Sequence, residues 1–429
     1  MIGRIVTAIA CLALAVVLAG CPSDSGRRGS GQLRRIDIVG AQALMVAPAN
    51  RVARASRVGI EAHGAGNVLF KQVGGEWMRV RMMDEYGHEV QTEAPLLIDD
   101  MTDRWMAMVF SGGEPSLSVL MTRPVFLVCK QTGAAFDITE VGFPHRHTSV
   151  FECQPHVGVD GNGNLYFRGA DGMRVLKISL GPTHGTAVPI TPPGLNVFQF
   201  AVCNAGNILY QATADGGFFH FSLITASGTL IPLGTDMAGF IFTGLDGEIY
   251  RLDWDNHRLY RLEVTGNTLA DVNFHPIYVD GLDEIDITPV GLFHLPGEMF
   301  IFAQSGAGML FLPQNGTPRL VNVQATNGGF PTSHGPERMS VSSNYLFVND
   351  VNMGVVAINL ETGATRIEVP RSDFVIIRSL TVTHAGVIIV DALTFHGNRT
   401  LIQIFPDGRR ETIIEDVAED QIITLTRVR

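Results

Sequence analysis

The segment DGNGNLYFRGADG, which begins at Asp160, carries oxygen-bearing side chains at alternate positions, as a calcium-binding loop does. Asp160, Asn162 and Asn164 match the first three ligand positions of such a loop. The sixth position needs a glycine for the sharp turn and is Leu165, while the twelfth needs a glutamate and is Asp171. No helical pattern flanks the segment. We therefore interpret it as a glycine-rich turn that leads into a strand.

Histidine gives a second set of candidate ligands, because a catalytic zinc needs three protein ligands. His63, His294 and His384 fall in turns of separate segments, where residues that tolerate unusual backbone angles are common. His145 and His147 have no carboxylate or cysteine pattern nearby. The sequence also has no G-x-S-x-G, no haem-binding C-x-x-C-H and no phosphate loop. We therefore predict no catalytic residue, no metal site and no cofactor.

The composition indicates a large folded body. Hydrophobic residues make up 46% of the 429 residues and charged residues only 17%. The net charge is −11, and lysine occurs only at Lys71, Lys130 and Lys177, so nearly all positive charge is carried by arginine. Nucleic acid and anionic membrane surfaces both attract clustered Lys and Arg. We therefore expect no nucleic-acid partner.

The amino terminus has the form of an export signal. Arg4 precedes an apolar run from Ile5 to Leu18, which is too short for a comfortable membrane span. The run closes with LAGC, which resembles the lipobox of bacterial lipoproteins. This resemblance implies cleavage before Cys21 and acylation of that cysteine. The alternative is an ordinary cleaved signal in which the cysteine is incidental.

The lipobox divides the chain into three parts. We predict a lipoprotein signal peptide over residues 1–20, a lipidated Cys21 with a flexible tether over residues 21–35, and one folded domain over residues 36–429. The tether PSDSGRRGSGQ is polar and rich in glycine and serine. We expect the protein in the bacterial cell envelope, held to the outer membrane through the lipid on Cys21. The expectation covers both attachment to the periplasmic face and attachment to the outer surface.

The folded part repeats a tight polar turn followed by a β-rich run, as in GNGNLYFRG, NAGNILYQA and LDGEIYRLD. In one unit the runs VGVD, NLYFRG, MRVLKIS and TAVPIT are separated by Gly, Asp, Asn or Pro turns. Four strands in units of about 40 to 50 residues are the repeat of a β-propeller. After a first gap of 97, steps of 43, 41, 50, 46 and 43 residues separate the equivalent positions Asn67, Asn164, Asn207, Glu248, Glu298, Asn344 and Val387.

These repeats predict an all-β fold, a β-propeller of eight four-stranded blades, or of seven if the first segment is irregular. In the second blade, RWMAMVF, SLSVLMT, PVFLVCK and AAFDIT read as the four strands. A ring must join its ends or expose strand edges. One of the terminal runs RIDIVGAQALMV and QIITLTRVR should therefore pair into a blade from the opposite end. The predicted blades are 62–95, 97–140, 150–191, 197–233, 238–273, 286–322, 338–369 and 378–416.

Two turns resemble the repeat of PQQ-like propellers, in which a strand ends in an acidic or polar residue before Thr-Gly. They are FLVCKQTGAAFDIT and VVAINLETGATRIEV, and neither has the tryptophan typical of that repeat. Units such as DGNGNLY look more like those of NHL or SMP-30-type propellers. The resemblance implies a propeller over nearly the whole folded part and assigns no subfamily. SMP-30-like lactonases hold a metal with carboxylate and Asn side chains, whereas the matching inner-strand positions here are mainly Val, Phe, Met and Ser.

Four arginines precede runs that we interpret as first strands. They belong to blades one, two, seven and eight, which are consecutive in a closed ring. Four guanidinium groups along one channel mouth would bind carboxylates, phosphates or acidic side chains of a partner. The alternative is that each pairs with a neighbouring acid such as Asp103, Glu337 or Asp373. We call this set the arginine arc: Arg57, Arg104, Arg338 and Arg378.

Three cysteines remain beyond the lipobox: Cys129, Cys153 and Cys203. In an oxidising envelope one pair could form a disulfide, but the spacing selects none of the three pairings. Buried free thiols are the other reading.

These features favour an envelope-anchored, non-enzymatic propeller that binds a protein or an anionic ligand. One alternative is a metal-dependent hydrolase or lactonase of SMP-30 type, and another is a purely structural assembly module. Convergent carboxylates in the central channel would support the enzyme. An apolar channel with charged or aromatic loops on one face would support the binding protein.

Overall fold

Eight four-stranded antiparallel sheets form the protein in its computed structural model, and they are arranged as blades around a ring. This confirms the predicted eight-bladed β-propeller. The helical elements in the described ranges are short 3-10 turns at Leu269–Asp271, Leu282–Glu284 and Arg371–Asp373. No described helix has the length and apolarity that a membrane crossing requires. The structure describes residues 33–48, 67–90, 94–101, 104–110, 124–141, 157–169, 174–214, 219–235, 239–253, 255–284, 289–303, 308–326, 330–331, 339–417 and 424–427.

Blades 2 to 5 each use four consecutive strands, named here from the innermost to the outermost. Blade 2 consists of Pro95–Asp100, Trp105–Phe110, Val125–Cys129 and Ala135–Asp137. Blade 3 consists of Val157–Val159, Leu165–Arg168, Val175–Leu180 and Gly185–Pro189. Blade 4 consists of Leu195–Val202, Ile208–Ala214, His220–Ile224 and Leu230–Gly234. Blade 5 consists of Phe240–Thr243, Ile249–Asp253, Arg258–Val264 and Val272–Ile277.

Blades 6 to 8 follow the same plan. Blade 6 consists of Pro289–Leu295, Glu298–Ala303, Gly308–Pro313 and Arg319–Asn322. Blade 7 consists of Met339–Ser342, Tyr345–Asp350, Gly354–Asn359 and Thr365–Pro370. Blade 8 consists of Ile376–Val382, Ile388–Leu393, Arg399–Ile404 and Arg410–Val417.

Blade 1 closes the ring with strands from both ends of the chain. The C-terminal strand Thr424–Arg427 is innermost and pairs antiparallel with Ala43–Pro48, followed outward by Asn67–Val73 and Glu76–Arg79. The predicted pairing of the two ends is therefore confirmed. The predicted range 62–95 assigned the strands of blade 1 to the wrong positions, because the innermost strand comes from the far end of the chain. Asn67 accordingly begins the third strand of its blade, not the second.

Blade 2 also differs from the sequence interpretation. Its innermost strand is Pro95–Asp100, and Trp105–Phe110 is the second strand, not the first. Proline and aspartate are depleted in strands, which is why PLLIDD gave no strand signal. The predicted strand SLSVLMT at 116–122 lies outside the described residues.

The connections between strands define two faces of the ring. We call upper face the one that carries the loops between second and third strands and the connections from one blade to the next. The lower face carries the turns between first and second strands and between third and fourth strands. Successive antiparallel strands reverse direction, so each type of connection falls on the same face in every blade.

Among the described residues, the core consists of eight hydrophobic clusters, one between each pair of neighbouring blades. The cluster between blades 8 and 1 joins Met45 and Trp77 to Ile389 and Leu401. Because each cluster contains side chains from two sheets, no blade buries its faces alone. Closure of the ring therefore contributes directly to the buried apolar area.

Hydroxyl groups link neighbouring innermost strands near the axis. The Thr243 hydroxyl donates to the carbonyl oxygen of Val202 over 2.9 Å, and its oxygen accepts the N–H of Val202 over 3.1 Å. Ser340 makes the same pair of contacts with Val382, at 3.4 and 2.9 Å. These hydrogen bonds join blade 4 to blade 5 and blade 7 to blade 8 where the strands converge.

The first described residues pack on the lower side of blades 1 and 2. Arg35–Ile36 pairs with Met82–Met83, and the Ile36 N–H donates to the carbonyl oxygen of Gly133 over 2.8 Å. Gly133 lies in the turn between the third and fourth strands of blade 2. Leu33 and Ile36 are buried in the cluster between these two blades. The chain therefore enters the propeller at its lower face.

Candidate functional site

The segment at Asp160 is a turn between the first two strands of blade 3, as predicted. One carboxylate oxygen of Asp160 accepts the N–H groups of Asn162 and Asn164 at 3.0 and 2.9 Å. The other accepts the Asn164 amide at 2.7 Å and the Tyr166 hydroxyl at 3.0 Å. Burial raises the pKa of Asp160, but these hydrogen bonds outweigh it, so the pKa lies below its ordinary value of 3.8. The carboxylate is thus fully engaged in holding the turn.

The structure places the two described arginines of the arginine arc at different positions in their blades. Arg104 directly precedes the second strand of blade 2, so it lies on the lower face rather than before a first strand. Arg378 lies within the innermost strand of blade 8, at a bulge between Ile377 and Ser379, and is half-buried. Arg57 and Arg338 lie outside the described residues. The common slot assumed for these arginines is therefore wrong for Arg104, because its blade begins one strand earlier.

Arg104 contributes to a cysteine-containing turn. Its guanidinium stacks 5.3 Å from the ring centroid of Trp105 and hydrogen-bonds to the thiol of Cys129. Burial raises the pKa of Cys129, but hydrogen bonds from Thr132, Gln131 and Arg104 outweigh it and leave the pKa below its ordinary value of 9.0. In the turn CKQTG the thiol of Cys129 thus accepts hydrogen bonds. The sequence interpretation had not assigned this role.

Two cysteines occur as free thiols in the described part of the chain. Cys129 and Cys203 are both buried and are not joined to each other. Cys153 lies outside the described residues. Of the two readings of the cysteines, a disulfide or buried free thiols, the second therefore holds for Cys129 and Cys203.

The described side chains of the innermost strands are mostly apolar or uncharged. In blade 4, Gln199 donates to the side-chain oxygen of Gln211 over 2.7 Å and to the carbonyl oxygen of Gly239 over 2.8 Å. In blades 5 and 7 the innermost strands read FIFT and MSVS and are largely buried. Across the ranges given above, no three His, Cys, Asp or Glu side chains are grouped so as to hold a metal ion. His294 lies near the end of the first strand of blade 6 and His384 in the following turn of blade 8, while His63 is outside the described residues.

Exposed aromatic side chains are concentrated on the upper face. Among the described residues, five Phe or Tyr side chains are exposed, and four of them lie in upper-face connections of blades 4 to 8. The fifth is Tyr86. The exposed fractions of Phe219, Tyr278, Phe330 and Phe395 are 45%, 81%, 44% and 65%. We call these four residues the upper aromatic set.

Described contacts support two of the upper aromatic residues, Phe219 and Phe395. Phe219 packs edge-to-face on Phe198 with ring centroids 4.6 Å apart, and Arg168 donates to the carbonyl oxygen of Phe198 over 3.2 Å. Below the loop that carries Phe395, the guanidinium of Arg399 donates two hydrogen bonds to the carboxylate of Asp391. Of the four exposed rings, Phe219 therefore has a direct packing partner, and Phe395 lies in the loop above a buried ion pair.

The sequence did not indicate the upper aromatic set. Single phenylalanines in polar loops are common, and only the strand order shows that these loops share one face. The arginine arc was derived from the same argument about converging loops, but it depended on blade registers that were wrong in blades 1 and 2.

No protein-family model and no curated protein sequence matches the chain. Solved structures with a similar fold include the virginiamycin B lyase of Staphylococcus aureus, with 13% identity, coverage of 63% of this chain and 90% of that chain, and a TM-score of 0.35. A puromycin hydrolase has 13% identity, coverage of 77% and 55%, and a TM-score of 0.43. A chain of a nidogen/laminin complex has 14% identity, coverage of 61% and 88%, and a TM-score of 0.32. At these values the likenesses carry no argument about function, and the fold rests on the strand order itself.

Proposed function

We propose that this protein is an envelope-anchored, non-enzymatic binding module whose upper face docks a protein partner. The observation that carries the proposal is the upper aromatic set, because four of the five exposed aromatic side chains described lie on one face. Aromatic residues are enriched at the centres of protein interfaces.

The physical properties of this face suit docking. Phe and Tyr bury a large apolar area at low entropic cost, so a few of them dominate binding energy. The Tyr278 hydroxyl also donates to the carboxylate of Asp280 over 3.2 Å, which adds a polar group at the edge of an apolar contact. The buried Asp391–Arg399 pair below the loop of Phe395 would limit the ordering that this loop needs on binding.

The proposed lipid anchor would leave the upper face accessible to a partner. The chain enters the propeller on the lower side, where Ile36 contacts Gly133. The residues between Cys21 and Leu33 can span at most about 36 to 40 Å when extended. A lipid on Cys21 would therefore hold the lower face nearer the membrane and leave the upper face directed away from it.

The proposal is tested by recovering partners of the lipidated full-length protein from native envelopes. One variant, Phe219→Ser with Phe395→Ser, removes two exposed rings from the upper face. A matched control, Leu230→Ser with Leu269→Ser, removes apolar side chains that are 44% and 61% exposed on the lower face. Loss of a hot-spot side chain costs about 2 kcal/mol or more of binding free energy.

We expect one protein to be recovered by the native chain and the lower-face control and lost with the upper-face variant. Equal unfolding temperatures of the three proteins would show that the loss is not due to unfolding. Recovery of the same proteins by all three forms would contradict docking on the upper face.

A further inference from the structure

A groove between blades 5 and 6 is lined by a row of side chains that crosses the blade 5 sheet. Tyr250 lies directly opposite Arg261 in the strand pairing, and Arg261 lies directly opposite His275. Directly opposite residues in antiparallel strands project from the same face of the sheet. The row therefore presents a phenol, a guanidinium and an imidazole side by side toward blade 6. The cavity volume is about 560 Å³.

The position of the row explains why it is polar. The neighbouring row of the same sheet face contains Phe240, Leu252 and Leu259, all buried against blade 6. On the inner side of the row, the ring of Phe242 stacks on Tyr250 with centroids 5.6 Å apart, and the row ends in solvent at His275. The inner end of the row thus belongs to the core, and the outer end opens as a groove.

Two members of the row already contact carboxylates. The Tyr250 hydroxyl donates to Asp246 over 2.7 Å, and the His275 imidazole contacts Glu263 over 2.5 Å. Arg261 is different: it acts electrostatically on Tyr250, but no hydrogen bond or ion pair of its side chain occurs among the described residues. The groove therefore has one guanidinium that is available to a ligand.

The opposite wall has the chemistry of a hydroxyl-binding surface. It is formed by the turn between the third and fourth strands of blade 6, with exposed Gln314, Asn315 and Thr317. Proline rings from both walls, at Pro276, Pro313 and Pro318, provide flat apolar surfaces. Pockets of this size commonly combine apolar walls with a few orienting polar groups.

We propose that this groove binds a carboxylate-bearing sugar of the uronic acid type. Arg261 would hold the carboxylate through its paired N–H groups, which match carboxylate geometry. The amide and hydroxyl side chains of the blade 6 turn would bind the ring hydroxyls, and Tyr250 with the prolines would contact the apolar ring face. The proposal is independent of docking on the upper face.

The test is titration calorimetry of the full-length protein with D-glucuronate and, separately, with D-glucose, which lacks the carboxylate. The test variant is Arg261→Gln. The matched control is Arg258→Gln, an exposed arginine on the same strand that does not line the groove. We expect glucuronate to bind, the test variant to weaken binding about tenfold or more, and the control to bind as the native protein does. Glucose should bind more weakly by a similar factor.

Three outcomes would overturn the proposal. They are absence of glucuronate binding to the native protein, equal binding of glucose and glucuronate, and equal binding by the native protein and Arg261→Gln. A triglutamate peptide serves as a further probe. Binding of this peptide without binding of glucuronate would assign the groove to acidic peptides and overturn the sugar proposal.

Discussion

Asp391 and Arg399 form a buried, two-pronged ion pair below the upper face of blade 8. The guanidinium donates to the two carboxylate oxygens over 2.9 and 2.7 Å, and both side chains are almost fully buried. The pair joins the second strand of the blade to the third, beneath the loop that carries Phe395. It is therefore positioned to hold that loop in one conformation.

Removing one member of this pair should destabilise the protein strongly. Arg399→Met leaves the Asp391 carboxylate buried without its counter-charge, and such a change costs about 3 to 5 kcal/mol. Urea unfolding of the native and variant proteins measures the difference in the free energy of unfolding. The double variant Asp391→Leu with Arg399→Met should recover most of the loss, because no buried charge remains. A single variant as stable as the native protein would contradict this role.

The paired ends of the chain predict a specific cross-link. Met45 lies directly opposite Leu425 in the strand pair that closes blade 1. Met45→Cys with Leu425→Cys should therefore form a disulfide on oxidation and stabilise the ring by about 2 to 4 kcal/mol. The control is Met45→Cys with Thr426→Cys, since Thr426 lies opposite Leu44 and is therefore one residue out of register with Met45. Equal oxidation of both cysteine pairs would contradict the register.

The hydrogen bonds of Asp160 predict a pH-dependent contribution to stability. Its pKa in the folded protein is below its ordinary value of 3.8. The contribution is therefore fully present above pH 3.8 and is lost as the pH falls through the lower, folded-state pKa. Asp160→Ala should lower the free energy of unfolding by about 1 to 3 kcal/mol at pH 7.

The difference between native and Asp160→Ala proteins should shrink in acid, as measured by urea unfolding from pH 7 down to pH 2. A difference that stays constant over this range would show that the Asp160 charge does not hold the turn.

Cys129 and Asn359 occupy equivalent positions in two Thr-Gly turns, and both side chains accept hydrogen bonds from the turn. Asn359 accepts from the N–H groups of Glu361 and Thr362 and from the Thr362 hydroxyl. Because the pKa of Cys129 is lowered, folding favours its thiolate, and stability should increase as the pH rises toward 9. The native protein should therefore gain stability relative to Cys129→Ser between pH 7 and pH 9, as measured by chemical unfolding. A pH-independent difference would contradict this.

Much of the architecture follows from local sequence patterns. The four runs predicted for blade 3 match its four strands because each is a short β-rich run bounded by glycine-containing turns. Blade 1 could not be placed in this way. Its innermost strand, Thr424–Arg427, is separated from its partner by almost the whole chain, and no local pattern encodes that pairing.

The candidate sites depend on information that is less local still. The row of Tyr250, Arg261 and His275 is formed by three strands in one register, and a shift of one residue would turn each side chain to the other face. The upper aromatic set depends on strand direction in five different blades. The composition shows that arginine carries most of the positive charge of the chain. It does not show which arginine lines a groove.

Docking on the upper face is tested most directly by photo-cross-linking in native envelopes. A photoreactive phenylalanine analogue replaces Phe395 on the upper face or, as the matched control, Leu269 on the lower face of the lipidated protein. We expect one discrete cross-linked protein from position 395 and none from position 269. The same products from both positions, or none from position 395 when the protein is folded and lipidated, would contradict a binding role for the upper face.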